Sequence, residues 1–327
     1  MANEAKIGVV TVTYNSGQVL DGFLNSLLAQ SHSNFLLYVI DNASSDDTLE
    51  RLARYEDRRI VLIGNRDNVG VARGNNQGIR AALEAGCEFA LLINNDAEFG
   101  ADLLLNLWHG SRDYQCDMVV PKIVYFGDTN RIWCAGGYFD RLKGYLGSPY
   151  GLDEIDRGQF DEVREVEFAP TCCMLVRKEV FGRLGLMDEQ YFIYFDDTDF
   201  CLRATRRGLK MVYLPTVKLL HKVSSLTGGA QSKFAVRHLT RNHVYYMRKN
   251  FAFWRSAYYL PAYQLRLIYK LLFQVVDWNG FSLRQSAFFE GLKLPLQREQ
   301  GPSSPYSTSE LEVQAQIGEQ DQGRLTR

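Results

Sequence analysis

Four apolar runs in the first hundred residues each close on a polar cluster, and the first three are each followed by a segment of helical period. The runs are "KIGVVTVTYN", "FLLYVIDNAS", "RIVLIGNRDN" and "FALLINNDAEF", with the β-branched and aromatic character of buried strands. Between them Val19, Phe23, Leu24, Leu27 and Leu28 recur at a spacing near 3.6. "SSDDTLERLARY" predicts an N-capped helix with Leu49, Leu52 and Tyr55 on one side, and "ARGNNQGIRAALEAG" a third helix broken at Gly86. This alternation predicts an α/β fold, a mostly parallel central sheet flanked by helices. Such sheets bind ligands beyond the C-terminal ends of their strands. That edge receives Tyr14 and Asn15, Asp41 and Asn42, and Asn94 to Asp96.

The later chain is less regular. Glycines at 127, 136, 137, 144, 147, 151 and 158 predict long loops and short antiparallel strands over residues 121–165. "VEFAPTCCMLVRKEVFGRLG" predicts a strand running into a helix, and "KMVYLP" a short strand before His221. From about residue 234 the chain turns aromatic and basic, and beyond 296 it is polar. The boundaries expected are a catalytic domain over 1–233, with a nucleotide-binding half (1–100) and an acceptor-binding half (101–233). A helical extension over 234–296 and a disordered tail over 297–327 complete it.

A net charge of -1, from 37 basic and 38 acidic side chains, creates no general attraction to nucleic acid, which is not expected as a partner. Six cysteines, at 87, 116, 134, 172, 173 and 201, form no C-x-x-C pair and read as reduced, buried residues of a cytoplasmic protein. "MANEAKIGVVTVTYN" lacks the long apolar stretch of a secretory signal.

Four elements carry chemistry. In "INNDAEF" a carboxylate leaving a strand beside amide oxygens suits a hard divalent cation, although in isolation a solvated turn capping the next helix is the commoner reading of the triplet. "YFDDTDFCLR" clusters Asp196, Asp197 and Asp199, a pattern that raises carboxylate pKa values and serves a general base, or else simply begins a helix. His221 alone reads as structural, but beside Asp96 it would complete a mixed N/O metal site. "NRDNVGVARGNNQG" allows close backbone approach to a phosphate or nucleoside, yet it is neither a dinucleotide fingerprint nor a P-loop.

"VVTVTYNS", "VIDNASSDDT" and "NVGVARGNNQGI" together resemble the family-2 glycosyltransferases of the GT-A fold, the nucleotide-diphospho-sugar transferase fold, and most closely their rhamnosyltransferase-like branch. The resemblance runs from about residue 6 to 250. It implies an inverting, metal-dependent transfer of a sugar, with rhamnose favoured by the branch, from a dTDP, UDP or GDP donor to a glycan or polyprenyl-linked acceptor. Asn94, Asn95 and Asp96 match the family's D-x-D element, so Asp96 would ligate Mg2+ or Mn2+, with His221 as second ligand. Asn95 replaces the branch's usual proline, which implies a less rigid strand exit. Thr11, Tyr14, Asn15, Asp41, Asn68, Gly70, Arg73 and Asn75 would complete the donor site. "YFDDTDFCLRATRRG" matches the family's catalytic segment, with Asp197 as base and Asp196 in place of the preceding glutamate. Asp188 and Glu189 are acceptor candidates, with capping an equal reading for either. A metal-dependent nucleotidyltransferase and a non-catalytic nucleotide- or carbohydrate-binding module are the competing classes.

In "AYYLPAYQLRLIYKLLFQVVD", Arg266 and Lys270 interrupt the run too deeply for a membrane span. Leu265, Ile268, Leu272 and Val275 share one helical side, Arg266, Lys270, Gln274 and Asp277 another. The stripe is expected to pack on the catalytic domain or in a homodimer, or else to lie peripherally on the inner face of the cytoplasmic membrane.

Overall fold

The computed structural model describes residues 4–141, 144–223 and 231–297. The tail expected over 297–327 therefore falls, apart from Gln297, outside the described residues.

The alternation of the first hundred residues folds as β1 (Ile7–Thr13), α1 (Gly17–Leu28), β2 (Phe35–Asp41), α2 (Thr48–Leu52), β3 (Ile60–Gly64), α3 (Val71–Glu84) and β4 (Phe89–Ile93). β1 pairs in parallel with β2 and β4, and β2 with β3. α2 is only five residues long, and Asp46 before it accepts from Gly17 N as well as from Thr48 N, tying the start of α2 to that of α1. Successive side chains of β1 serve opposite faces, as strand geometry requires. Ile7 and Val9 join Leu20, Phe23, Leu24 and Leu27 of α1, whereas Val10 joins Ala72 and Ile79 of α3.

The chain continues through β5 (Ala97–Phe99), α4 (Leu103–Asp113), β6 (Met118–Tyr125), β7 (Asp128–Cys134), β8 (Gly137–Asp140), β9 (Leu146–Pro149), β10 (Arg164–Glu165) and β11 (Cys173–Arg177). α5 (Lys178–Leu184), α6 (Asp196–Arg206) and β12 (Met211–His221) follow. The main sheet runs β10-β12-β6-β11-β4-β1-β2-β3 and is mixed, since β11 is antiparallel to both β4 and β6 while β12 and β6 are parallel. β6 is a central strand of eight residues inside a region expected to be mostly loop. Pro121 and Lys122 hide it in the sequence. Pro121 sits just before the register shift between β6 and β12, and Lys122 is fully buried on Asp156 and Asp161.

The helical extension is present as α7 (Lys233–Asn250), α8 (Phe253–Leu272) and α9 (Trp278–Lys293). α7 joins the hydrophobic core through Val244, Tyr245, Tyr246 and Met247. All six cysteines are buried and free. Among the described residues, no helix is long and apolar enough to cross a membrane.

Candidate active site

The ends of β1 and β2 are locked by a shared carboxylate. Asp41 Oδ1 accepts from Thr13 Oγ1 at 2.9 Å and Ser44 Oγ at 2.6 Å, and Oδ2 accepts from Ser44 N at 3.0 Å. Asn15, at φ 51°, adopts the left-handed conformation that Asn tolerates, and its Oδ1 accepts from Ser45 N. Tyr14 presents an exposed ring beside it. Thr11 differs from expectation: it is fully buried within β1 and its hydroxyl finds no hydrogen-bond partner, so the polar edge begins at Thr13.

The glycine-rich segment serves packing. Gly74 and Gly78 of α3 stand so close to β1 that an added Cβ would lie 2.8 Å from Val12 and 2.3 Å from Val10. Gly70, at φ 85°, has its Cα side against Phe192. Asn75 Nδ2 lies 3.7 Å from Met187 Sδ, and Arg73 Nε 3.8 Å from Glu189. Asn68 Oδ1 accepts from Gly70 N and Asn42 Nδ2. Gly70, Arg73 and Asn75 thus hold the turn over 187–192, where close approach to a phosphate was expected.

At the tip of β4, Asn94 is exposed and its N donates to Cys172 O at 3.0 Å. Asn95 does not loosen the strand exit in proline's place: its Nδ2 donates to Val12 O at 2.7 Å and ties the tip of β4 to β1. Asp96 then meets His221 through backbone pairing, since β5 is antiparallel to β12 with His221 opposite Ala97, and Lys222 N donates to Asp96 O at 3.0 Å. His221 Nε2 lies 3.1 Å from Asp96 Oδ1, with the Trp133 ring edge-on to the imidazole. A depression of about 490 Å³, lined in part by Tyr125, Phe126, Arg131 and Lys222, opens beside His221.

Asp196 and Asp197 begin α6 after an unusual approach. Phe192, Tyr194 and Phe195 all have positive φ, between 62° and 69°, a concentration of backbone strain that the surroundings must enforce. α7 enforces it. Asn242 Nδ2 donates to the carbonyls of Tyr191, Ile193 and Tyr194 at 2.7, 2.7 and 2.9 Å. His238 stacks on Phe192 and His243 on Phe195, and burial lowers both imidazoles to about 4, so they pack as neutral rings near pH 7.

Burial, and then the neighbouring Asp197 carboxylate, push Asp196 up from the usual carboxylate range; burial also raises Asp197. Among the described residues, Asp197 accepts only from Thr198, through N and Oγ1. The Cys172 thiol is pushed well above its ordinary value by burial, by Cys173 and Cys134, and by both Asp96 and Asp197, so one residue feels both carboxylates. Asp199 behaves oppositely. Burial pushes it up, but Arg203 and Lys249, with Asn250, more than offset that and lower it. Asp188 shares the lysine: its Oδ2 accepts from Lys249 Nζ and Tyr245 Oη, each at 2.8 Å, and its Oδ1 from Gln190 N. That buried carboxylate caps the turn over 189–191 and is already occupied. Glu189 accepts from Asn76 Nδ2 and pairs with Arg73 and Arg80. Asn242 and Lys249 were not foreseen as part of this site.

The family model of glycosyl transferase family 2 matches residues 8–185, more than half of the chain. The chain belongs to that family.

Among curated relatives, this glycosyltransferase is 26% identical over 218 residues to the low-salt glycan biosynthesis hexosyltransferase Agl10 of Haloferax volcanii, covering 66% of each chain. It is 26% identical over 264 residues to the dTDP-rhamnosyl transferase RfbF of Shigella flexneri, covering 75% of this chain and 81% of that one. The N-acetylglucosaminyl-diphospho-decaprenol L-rhamnosyltransferase of Mycobacterium tuberculosis is 26% identical over 268 residues, with 76% and 86% covered. Two solved structures share the fold at a TM-score of 0.56. One is a mannosyltransferase of Pyrobaculum calidifontis in complex with GDP-Man and Mn2+, at 15% identity over 89% of this chain and 88% of that one. The other is GalNAc-T7 with UDP, GalNAc and Mn2+, at 18% identity over 73% of this chain and 48% of that one.

The residues at Asp96 fit a hard divalent cation as a partial site. A carboxylate and an imidazole are suitable donors, and their 3.1 Å spacing matches two adjacent ligands of an octahedral ion with bonds of about 2.1 Å. Among the described residues, no group of three or more His, Cys, Asp or Glu could hold a metal alone. Two such ligands would leave positions for water and for a ligand's phosphate oxygens.

Proposed function

We propose that this family-2 enzyme transfers a sugar, with inversion, from a nucleoside-diphosphate donor to a hydroxyl of a glycan or polyprenyl-linked acceptor. Rhamnose from a dTDP donor is the first choice, in line with the two rhamnosyltransferases among its relatives, and UDP and GDP sugars are the next to test. The observation that carries the reading is the Asp96–His221 pair, 3.1 Å apart where β5 meets β12, together with Asp197 beside buried Asp196 at the start of α6.

Asp197 is the base. An acceptor hydroxyl is a poor nucleophile at neutral pH, and a raised carboxylate accepts its proton more readily as the bond to the anomeric carbon forms. Asp196, pushed up by burial and by Asp197, holds its proton more tightly and keeps a second negative charge away from the base. Asp96 and His221 would hold Mg2+ or Mn2+, which supplies charge stabilisation to the departing diphosphate. Tyr14, Asn15 and the Asp41 network line the strand edge on the nucleoside side. A lipid-linked acceptor would bring the enzyme to the inner face of the cytoplasmic membrane.

The test is a screen of dTDP, UDP and GDP sugars with Mg2+ or Mn2+, read as donor-dependent thermal shift and slow release of nucleoside diphosphate. Pyrophosphate release from a nucleoside triphosphate, with no diphosphate from any sugar donor, would transfer the chain to the nucleotidyltransferase reading.

A further inference from the structure

The apolar stripe of α8 faces outward. Trp254, Tyr258, Pro261, Leu265, Ile268 and Leu272 follow one another at intervals of four and three and are all exposed, Leu265 at 68% and Leu272 at 73%. These intervals place them on one face of the helix. The inner face is made by Ser256, Tyr259, Leu260, Tyr263 and Leu267, of which Tyr259, Leu260 and Tyr263 pack on the core. Among the described residues, nothing packs the stripe onto the catalytic domain, the first of its expected fates. Exposed Phe273, Val275 and Trp278 prolong the patch beyond the helix end, and a run of this size marks an interaction surface.

Charge selects the partner. No acidic residue lies between Asn250 and Asp277, while Arg255, Arg266 and Lys270 all belong to α8. At the start of the helix a cavity of about 450 Å³ is lined by Arg141, Tyr145, Phe251, Trp254, Arg255 and Tyr258, among others. The Arg255 guanidinium lies over the rings of Trp254 and Tyr145 and has no carboxylate partner among the described residues, and Arg141 reaches Glu167 only at 3.9 Å. A second copy docked by two-fold symmetry would bring this acid-free, cationic helix against itself. An anionic bilayer complements it, because apolar side chains enter the acyl boundary, Trp and Tyr favour the headgroup level, and Arg and Lys meet lipid phosphates.

We infer that α8 lies flat on an anionic membrane surface, its stripe dipping into the interface and a phospholipid phosphate seated between Arg141 and Arg255. The inference rests on the proposed transferase reading only for its purpose, presenting the cleft to a lipid-linked acceptor. Vesicle binding needs no donor, and donor turnover needs no vesicle, so either can fail alone.

The experiment is co-sedimentation of the full chain with vesicles of phosphatidylcholine, with and without phosphatidylglycerol, alongside sedimentation velocity of the protein alone. The wild type is expected to bind the phosphatidylglycerol vesicles at least about tenfold more tightly than the neutral ones. L265E/L272E should abolish binding to both, and R141Q/R255Q should remove the preference for the anionic lipid, with slow donor turnover in solution unchanged in each. The variants alter exposed positions, and Trp fluorescence of the wild type, which should shift to the blue on vesicles, gives a readout that needs no substitution. No vesicle binding and no shift would overturn the inference. So would a dimer in solution that L265E/L272E dissociates, because the stripe would then belong to a second copy.

Discussion

Two acidic regions meet on the first turn of α6, and they differ in what neutralises them. Asp199 and Asp188 are buried and share Lys249, with Arg203, Asn250 and Tyr245 completing the set. Asp196, also buried, and Asp197, half-buried beside it, have no ion pair among the described residues, and their proton affinity rises. Burial is common to both, so burial alone does not mark a catalytic acid. Burial without an offsetting cation is what makes Asp197 the candidate. The paired region fastens α6 to α7, and on the proposed reading the unpaired one supplies the base.

The largest expected effect attacks the unpaired region. Asp197→Asn removes the base without altering shape and should lower turnover by about 100- to 10,000-fold while donor affinity stays within twofold, read by single-turnover kinetics and calorimetry. Asp96→Ala comes next and should abolish the divalent-cation dependence of donor binding, weakening it by about 100-fold, since metal stabilisation of phosphate charge is worth several kcal/mol. Unchanged nucleotide affinity with and without Mn2+ would separate Asp96 from the cleft.

The paired region should respond in stability. Lys249→Met leaves two buried carboxylates sharing one cation fewer and should cost about 3 to 5 kcal/mol in urea unfolding. Asn242→Ala releases the strained turn before α6 and should cost about 1 to 3 kcal/mol, lowering kcat about tenfold with KM for the donor little changed. A loss in stability alone would reduce Asn242 to a packing residue.

The smallest effect is in pH dependence, and its sign differs between the regions. Asp199 is lowered in the fold, so its contribution is present above its unfolded pKa and lost as pH falls through the lowered value. Asp196 is raised, so its contribution is full below its unfolded pKa and lost as pH rises through the raised value. Asp196→Asn should therefore flatten the alkaline side of the Tm profile by a few degrees, and Asp199→Asn the acid side. The acid limb of turnover, set by Asp197, should lie above the ordinary carboxylate value of about 4 and stay in place in Asp196→Asn, because Asp196 is already protonated there.

What the sequence disclosed follows the range of the contacts involved. β1 to β4 were legible because their apolar runs and intervening periods are local, and the closeness of His221 to Asp96 is where the motif residues put it. β6 was hidden by Pro121 and by Lys122, whose charge is neutralised by acids in a distant loop. Gly74 and Gly78 signal a close approach without saying to what; here it is β1. The left-handed turn before α6 depends on Asn242, about fifty residues onward, and no local pattern announces that. The stripe of α8 was visible as a period, but periodicity does not say which side the core covers.

The most direct test is a crystal structure with a nucleoside-diphosphate sugar and Mn2+. The account predicts the ion bound to Asp96 Oδ1, His221 Nε2 and diphosphate oxygens, with the Asp197 carboxylate facing the anomeric carbon from the side opposite the leaving group and room for one hydroxyl between. A diphosphate held without Asp96, or an anomeric carbon turned away from Asp197, would contradict it.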